Sequence, residues 1–368
     1  MITNSLIHQI TLGRDGKNWG YQMGLPKLES IIDGVTQNTY TLVFSGTGSG
    51  KTSLALYSYI YRPAMDHLND GNFKVTYFSL EMSSELLFAK LLCMYIFEHY
   101  GVELSTKELL SKEKGYRLSD ENYNIVKECI PWLHSIENII TVHDKALNAQ
   151  ILYATLYKEL EEEGTFTETE TRITYEKHNE DLVHLVVIDH LSLVRKSEGR
   201  SLKEEMDTIS SYLVTLRNRC KISPLVIMQA NRDSTSMDRR KAGLDNMQLS
   251  DIKDSGSPAQ DSEIIISIFN PHRERLSSHR GYDINTLGSR FRSITVLKNR
   301  YGESDVEVGV AFYGKCGLWK ELPRADEIYD YDKYLTSNYL LEEDDETTKL
   351  PEDNINKEDK PIRIPITL

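Results

Sequence analysis

Ser45-Gly46-Thr47-Gly48-Ser49-Gly50-Lys51-Thr52 is the stretch that decides the fold. It follows an apolar run, Tyr40 to Phe44, that reads as a buried strand. It precedes Ser53 to Ile60, which reads as the opening of a helix. Strand, glycine-rich turn, Lys-Thr and helix is the setting in which a phosphate-binding loop works. Glycines let the backbone wrap a triphosphate, so that successive N–H groups and the helix N-terminus face its oxygens. Lys51 then reaches the β- and γ-phosphates, the Thr52 hydroxyl can ligate Mg²⁺, and the backbone through Ser53 closes the cradle. The strict pattern has Gly where this chain has Ser45, a position that needs a tight turn more than a bare backbone. The expected ligands are ATP and Mg²⁺.

Working outward, strand candidates recur at Lys74 to Leu80, Ile139 to His143, Leu185 to Asp189, Leu225 to Gln229, Ile264 to Ile268 and Ser293 to Leu297. A helical pattern, Leu25 to Ile32, precedes the P-loop strand, and others lie between the strands, among them Ser83 to Leu92 and Ala146 to Leu160. Continuous β-branched strands alternating with helices predict an α/β fold, a mostly parallel sheet with helices on both faces. The expected organisation is a lead-in over 1–24, broken by Gly13, Gly16 and Gly20, and one domain over 25–322. Within that domain 161–180 reads as a charged loop or hairpin insertion. From 323 to 368 the apolar periodicity fades, predicting an acidic, disordered tail whose removal leaves the fold intact.

The 368 residues carry a net charge of −13. The sign alone argues against a nucleic-acid partner, but its distribution does not. Pro323 to Leu368 holds six Lys/Arg against thirteen Asp/Glu, whereas His190 to Arg300 holds nineteen against thirteen. The central segment is locally basic. Cys93, Cys129, Cys220 and Cys316 have no metal-site or disulfide spacing, which predicts reduced thiols. The N-terminus lacks a signal-peptide pattern, no apolar run is long enough to span a membrane, and a cytoplasmic location is expected.

Two carboxylates stand at strand ends. Asp189 closes the most apolar strand, where an α/β sheet places ligand groups, and is the candidate Mg²⁺-shell residue. Glu81 follows the strand after the P-loop helix, where a carboxylate can polarise water beside a γ-phosphate.

Five segments carry a resemblance. YFSLEMSSELLFAKLL (77–92), VVIDHLSLV (186–194), VIMQANRD (226–233), LSDIKDSGSPAQDSEIIISIF (249–269) and LKNRYGES (297–304) resemble, in order, motifs of DnaB-like replicative helicases. That family consists of hexameric motors with a RecA-like core. The resemblance implies Glu81 as catalytic base, Asp189 in the metal shell and Gln229 as γ-phosphate sensor. It implies Lys298 and Arg300 as a lysine and an arginine finger acting on a neighbouring subunit's ATP. It points to Lys253, Asp254 and Gly256 as DNA contacts; Arg195, Lys196 and Arg232 lie on basic loops suited to a DNA-lined pore. The implied activity is ATP-dependent unwinding by a homohexamer moving 5′-to-3′ on single-stranded DNA, with primase, a loader or a separate collar protein as partners. The family's N-terminal collar domain has no counterpart in the lead-in. A recombinase forming filaments on DNA, and a signalling ATPase without DNA, are the alternative uses of such a core.

Overall fold

The computed structural model describes residues 2–14, 16, 19–170, 172–231, 246–253 and 256–341. Along the chain the strands are β1 (Thr41–Ser45), β2 (Phe73–Ser79), β3 (Ile140–His143), β4 (Gly164–Glu168), β5 (Ile173–Lys177), β6 (Val183–Asp189), β7 (Ser223–Gln229), β8 (Ile264–Phe269), β9 (Ser278–His279), β10 (Tyr282–Asp283), β11 (Phe291–Asn299), β12 (Val306–Tyr313) and β13 (Leu318–Glu321). Among the described residues nine of them form one sheet in the order β13-β12-β11-β8-β1-β7-β6-β2-β3. From β8 to β3 every neighbouring pair is parallel. β11, β12 and β13 then add an antiparallel edge.

The parallel strands are buried because alternate residues feed two separate cores. Val43, Val75, Val187 and Ile227 belong to one core, and Leu42, Phe44, Val186 and Val226 to the other. Helices Ala149–Glu163 and Leu202–Cys220 cover the second face through Leu152, Leu156, Ile209 and Leu213. The first face carries the P-loop helix, which runs through a π-helical stretch, Ala55–Tyr61, whose seven residues are all buried. β1 sits in the middle, so its C-terminal turn opens onto the centre of the sheet edge.

Several elements match the expectation, and some differ. The 161–180 insertion contains the antiparallel hairpin β4–β5. Its Phe166 and Tyr175 rings contact each other, with centroids 4.7 Å apart. All four cysteines are free and buried. The lead-in is not without regular structure: Ile2–Arg14 is a helix, with Leu6, Ile7 and Ile10 exposed on it. Gly13 falls in its last turn, where a glycine costs little.

The expected tail packs as far as Leu341. Short 3₁₀ turns accompany the entry of Ile328, Tyr334 and Tyr339 into the first core. The Tyr339 hydroxyl donates to the Glu321 carbonyl at 2.7 Å, and Tyr313 donates to the Tyr334 carbonyl at 3.0 Å. Widely spaced aromatics among acidic residues hid this packing, since three anchors suffice for a strap that has no periodicity. Residues 342–368 lie outside the described residues.

Candidate nucleotide-binding site

The turn after β1 is held open by contacts from three directions. Gly50 sits at φ 107, and a Cβ there would lie 2.7 Å from the Trp319 ring of β13. Arg292 of β11, buried, donates its Nε to the Ser49 carbonyl at 2.9 Å and its guanidinium lies over Phe312. Burial, with Arg273 nearby, pushes the Arg292 guanidinium down to about 10. Arg273, from the turn after β8, donates to the Thr47 carbonyl. The P-loop is thus braced by the antiparallel edge of the sheet. Sequence reasoning missed Arg273, Arg292 and Trp319 because they lie far downstream of the motif, with no pattern to connect them to it.

Inside the turn Lys51 Nζ donates to the Ser45 and Gly46 carbonyls, at 3.1 and 3.2 Å, and reaches Ser45 Oγ at 3.4 Å. Burial pulls the lysine below its ordinary value, opposed by Asp189 and Glu81. An ammonium resting on carbonyls is ready to exchange them for phosphate oxygens. Gly46, Thr47 and Ser49 line a cavity of about 390 Å³ with Gln229, Phe269 and Arg273. Ser53 is buried in the following turn.

Asp189 is 2% exposed at the end of β6. Its Oδ2 accepts from the Thr52 hydroxyl and from Tyr77, each at 2.7 Å, while its buried Oδ1 has no hydrogen-bond partner. Burial raises its carboxyl above the usual range. A buried carboxylate oxygen left unpaired beside a threonine hydroxyl is the donor arrangement a hard divalent cation needs. Among the described residues there is no cluster of three or more His, Cys, Asp or Glu able to hold a metal alone. A cation here would complete its shell with phosphate oxygens and water, so the residues fit Mg²⁺ arriving with a nucleotide.

Glu81 stands beside this pair, its side chain 61% exposed, with His190 Nε2 4.0 Å from its Oε2. The Asp189–His190 peptide is cis. Gln229, at the end of β7, donates its Nε2 to the Thr47 hydroxyl at 2.5 Å. Its carbonyl accepts from the Lys253 N–H at 3.1 Å, and the same stretch pairs Ala230 with Ile252. One residue therefore touches both the P-loop and the segment expected to face DNA.

Lys298 and Arg300 do not join this site. β11 runs antiparallel to β8, and Lys298 pairs with Ile265, whereas Ser45 pairs with Ile268. That separation along β8 is about 10 Å, toward the sheet edge opposite the P-loop. There Lys298 Nζ donates to the Ala259 and Gln260 carbonyls at 3.1 and 3.0 Å, and Arg300 lies 3.5 Å from Glu263. Arg195 and Lys196 are exposed after β6, Lys253 is exposed after β7, and Gly256 is packed against Asp207. Arg232 and Asp254 lie outside the described residues.

Residues 20–321 match the family described as the DnaB-like helicase C terminal domain. The chain is 26% identical over 251 residues to the replicative DNA helicase DnaB of Helicobacter pylori, covering 68% of this chain and 43% of that protein. It is 23% identical over 311 residues to the DnaB of Leifsonia xyli, covering 84% of this chain and 57% of the other. The chain thus spans about half the length of these relatives. A solved ATPase domain superposes with a TM-score of 0.67 at 17% identity, covering 88% of this chain and 99% of that one. A DnaB-like replicative helicase, solved in a study of its interactions with primase, superposes at 0.64 and 18% identity, covering 88% and 67%. At such identities the structural likeness is one of fold, an α/β core of the RecA-like type. With the family match covering most of its length, this chain belongs to the DnaB-like helicase C-terminal domain family.

Proposed function

We propose that the chain is the motor of an ATP-dependent replicative helicase, a homohexamer that moves 5′-to-3′ on single-stranded DNA and unwinds the duplex ahead. The observation that carries this reading is Gln229, whose side chain bonds Thr47 of the P-loop while its backbone bonds Lys253. A change at the γ-phosphate is thereby one residue away from a cation that can grip a DNA phosphate.

In this reading Lys51 leaves the Ser45 and Gly46 carbonyls for the β- and γ-phosphates. Bound Mg²⁺ would neutralise phosphate charge, held through Thr52 and Asp189. Glu81 orients water toward the γ-phosphate, and its exposure leaves room for that water. Lys298 and Arg300 complete a neighbour's site, which their place on the far sheet edge supports, because they cannot reach their own. Hydrolysis then depends on ring closure. Primase, a loader or a collar protein would act on the assembled ring, in the cytoplasm; among the described residues no helix is long and apolar enough to cross a membrane.

Strand displacement on a forked duplex with Mg-ATP tests the proposal. Unwinding that needs ATP and a 5′ single-stranded tail is expected, with Lys51→Ala inactive. DNA-stimulated turnover without unwinding, accompanied by filaments on DNA, would favour recombination. Turnover indifferent to DNA would overturn a DNA motor.

A further inference from the structure

Glu307 lies near the start of β12, outside the nucleotide site, yet its carboxylate is fully engaged. Oε1 accepts from the Ser293 hydroxyl at 2.5 Å and meets His279 Nε2 at 2.7 Å. Oε2 accepts from Asn246 Nδ2 at 2.7 Å and from Arg280 Nε at 3.0 Å. Burial opposes its ionisation, but the bonds from His279, Ser293 and Asn246 outweigh burial and hold the carboxyl at about 2. It is an anion at every working pH.

Such a group is not needed to hold its own strand. The backbone ladder already pairs Glu307 with Thr295 and Gly309 with Ser293. A largely buried carboxylate costs desolvation that an apolar residue would avoid. What the carboxylate adds, beyond a side-chain bond to Ser293 on the already paired β11, is a link to two segments the ladder does not join: the β9–β10 hairpin through His279 and Arg280, and the segment 246–253 through Asn246.

That last segment matters because of its other end. Met247 enters the second core, and Leu249–Asp251 form a 3₁₀ turn closed by the Gln248 N–H donating to Asp251 Oδ2 at 2.8 Å. Ile252 bridges Ala230, and Lys253 then bonds the Gln229 carbonyl. The strip is pinned at its far end by the backbone of Gln229 and at its near end by Glu307.

We propose that Glu307 is a positioning residue for DNA-linked ATP turnover, fixing Asn246 so that the strip 246–253 delivers Lys253 to a single-stranded polynucleotide and returns the strain of that contact to Gln229. This rests on the DNA-motor reading above. Without the anchor, Lys253 still meets DNA phosphate, but the strip yields and Gln229 does not feel the contact. Binding of nucleotide is untouched, since no member of the anchor lines the P-loop.

The test compares the wild-type chain, Asn246→Ala, Glu307→Gln and Arg280→Ala for ATP turnover with and without oligo-deoxythymidine, for KM of ATP and for melting temperature. Asn246→Ala removes only the strip's bond and stays informative if Glu307→Gln fails to fold. The expected result is a ratio of DNA-stimulated to DNA-free turnover at least fivefold lower in Asn246→Ala and Glu307→Gln, with KM for ATP within twofold of wild type. Arg280→Ala, which leaves the strip's bond in place, keeps the wild-type ratio within twofold. A merely structural role would lower melting temperature and both rates in step and leave the ratio unchanged. If wild type is stimulated by DNA and Asn246→Ala equally so, the anchor is refuted while the motor reading stands. A wild type that DNA does not stimulate overturns both.

Discussion

Single residues at the P-loop have separable jobs. Gly50 combines a positive φ with Trp319 against its missing side chain, so Gly50→Ala meets both backbone strain and a ring. A cost of about 1–3 kcal/mol from the backbone alone is expected. The melting temperature should fall and the KM for ATP should rise. Glu81→Gln keeps the volume and removes the carboxylate proposed as the base: nucleotide binding by fluorescence titration should stay near wild type while turnover falls by about 10² or more. Lys51→Ala should lose both. Substantial turnover in Glu81→Gln would reassign the water-orienting role. These motif residues were readable in the sequence because each lies in a short, contiguous pattern. Their braces were not. Arg292 reads there as one more cation of a strand, and only β11's place beside β8 and the fold of the P-loop bring its Nε to Ser49.

At the level of elements, the helix Ala149–Glu163 is tied to the sheet by charge as well as by apolar contact. Glu163, its side chain 8% exposed, lies 2.6 Å from Lys74 of β2 and 2.9 Å from buried His184 of β6. Burial opposes its ionisation, but His184 and Lys74 prevail and hold the carboxyl at about 2. A carboxylate depressed on folding contributes stability above its unfolded value, near 4.3, that is lost as pH falls from there toward about 2. Glu163→Gln should therefore lower the unfolding free energy by about 3 kcal/mol at neutral pH. Denaturant titrations should show that gap closing below about pH 4; a gap independent of pH would mean that the pairing contributes nothing. The helix itself was legible from its apolar spacing, within a few residues. Its electrostatic seam was not, since Lys74, Glu163 and His184 are joined only by strand order.

For the whole molecule, the antiparallel edge and the C-terminal strap close the first core behind the P-loop. Truncation after Leu322 removes Ile328, Tyr334 and Tyr339 from that core and should destabilise the fold, whereas truncation after Leu341 should leave melting temperature and turnover unchanged. Equal stability of the two truncations would show the strap to be dispensable. The opposite placement of the P-loop and the proposed finger residues, Lys298 and Arg300, makes a second prediction. Arg300→Ala and Glu81→Gln, each inactive alone, should recover partial turnover when mixed, because some interfaces then pair an intact Glu81 with an intact Arg300. No recovery at any ratio would exclude action between subunits.

By itself the sequence determined the P-loop, the strand-end carboxylates, the parallel α/β core and the family resemblance, because these are local patterns with fixed periods and spacings. Only the tertiary structure decided that residues 323–341 pack on the core, that Arg273, Arg292 and Trp319 brace the P-loop, and that Lys298 and Arg300 face away from it. Those facts follow from strand order and direction, which bring together residues hundreds of positions apart and separate residues that share one strand. No local pattern encodes them: apolar spacing tells which side of a strand is buried, but not which strand lies beside it.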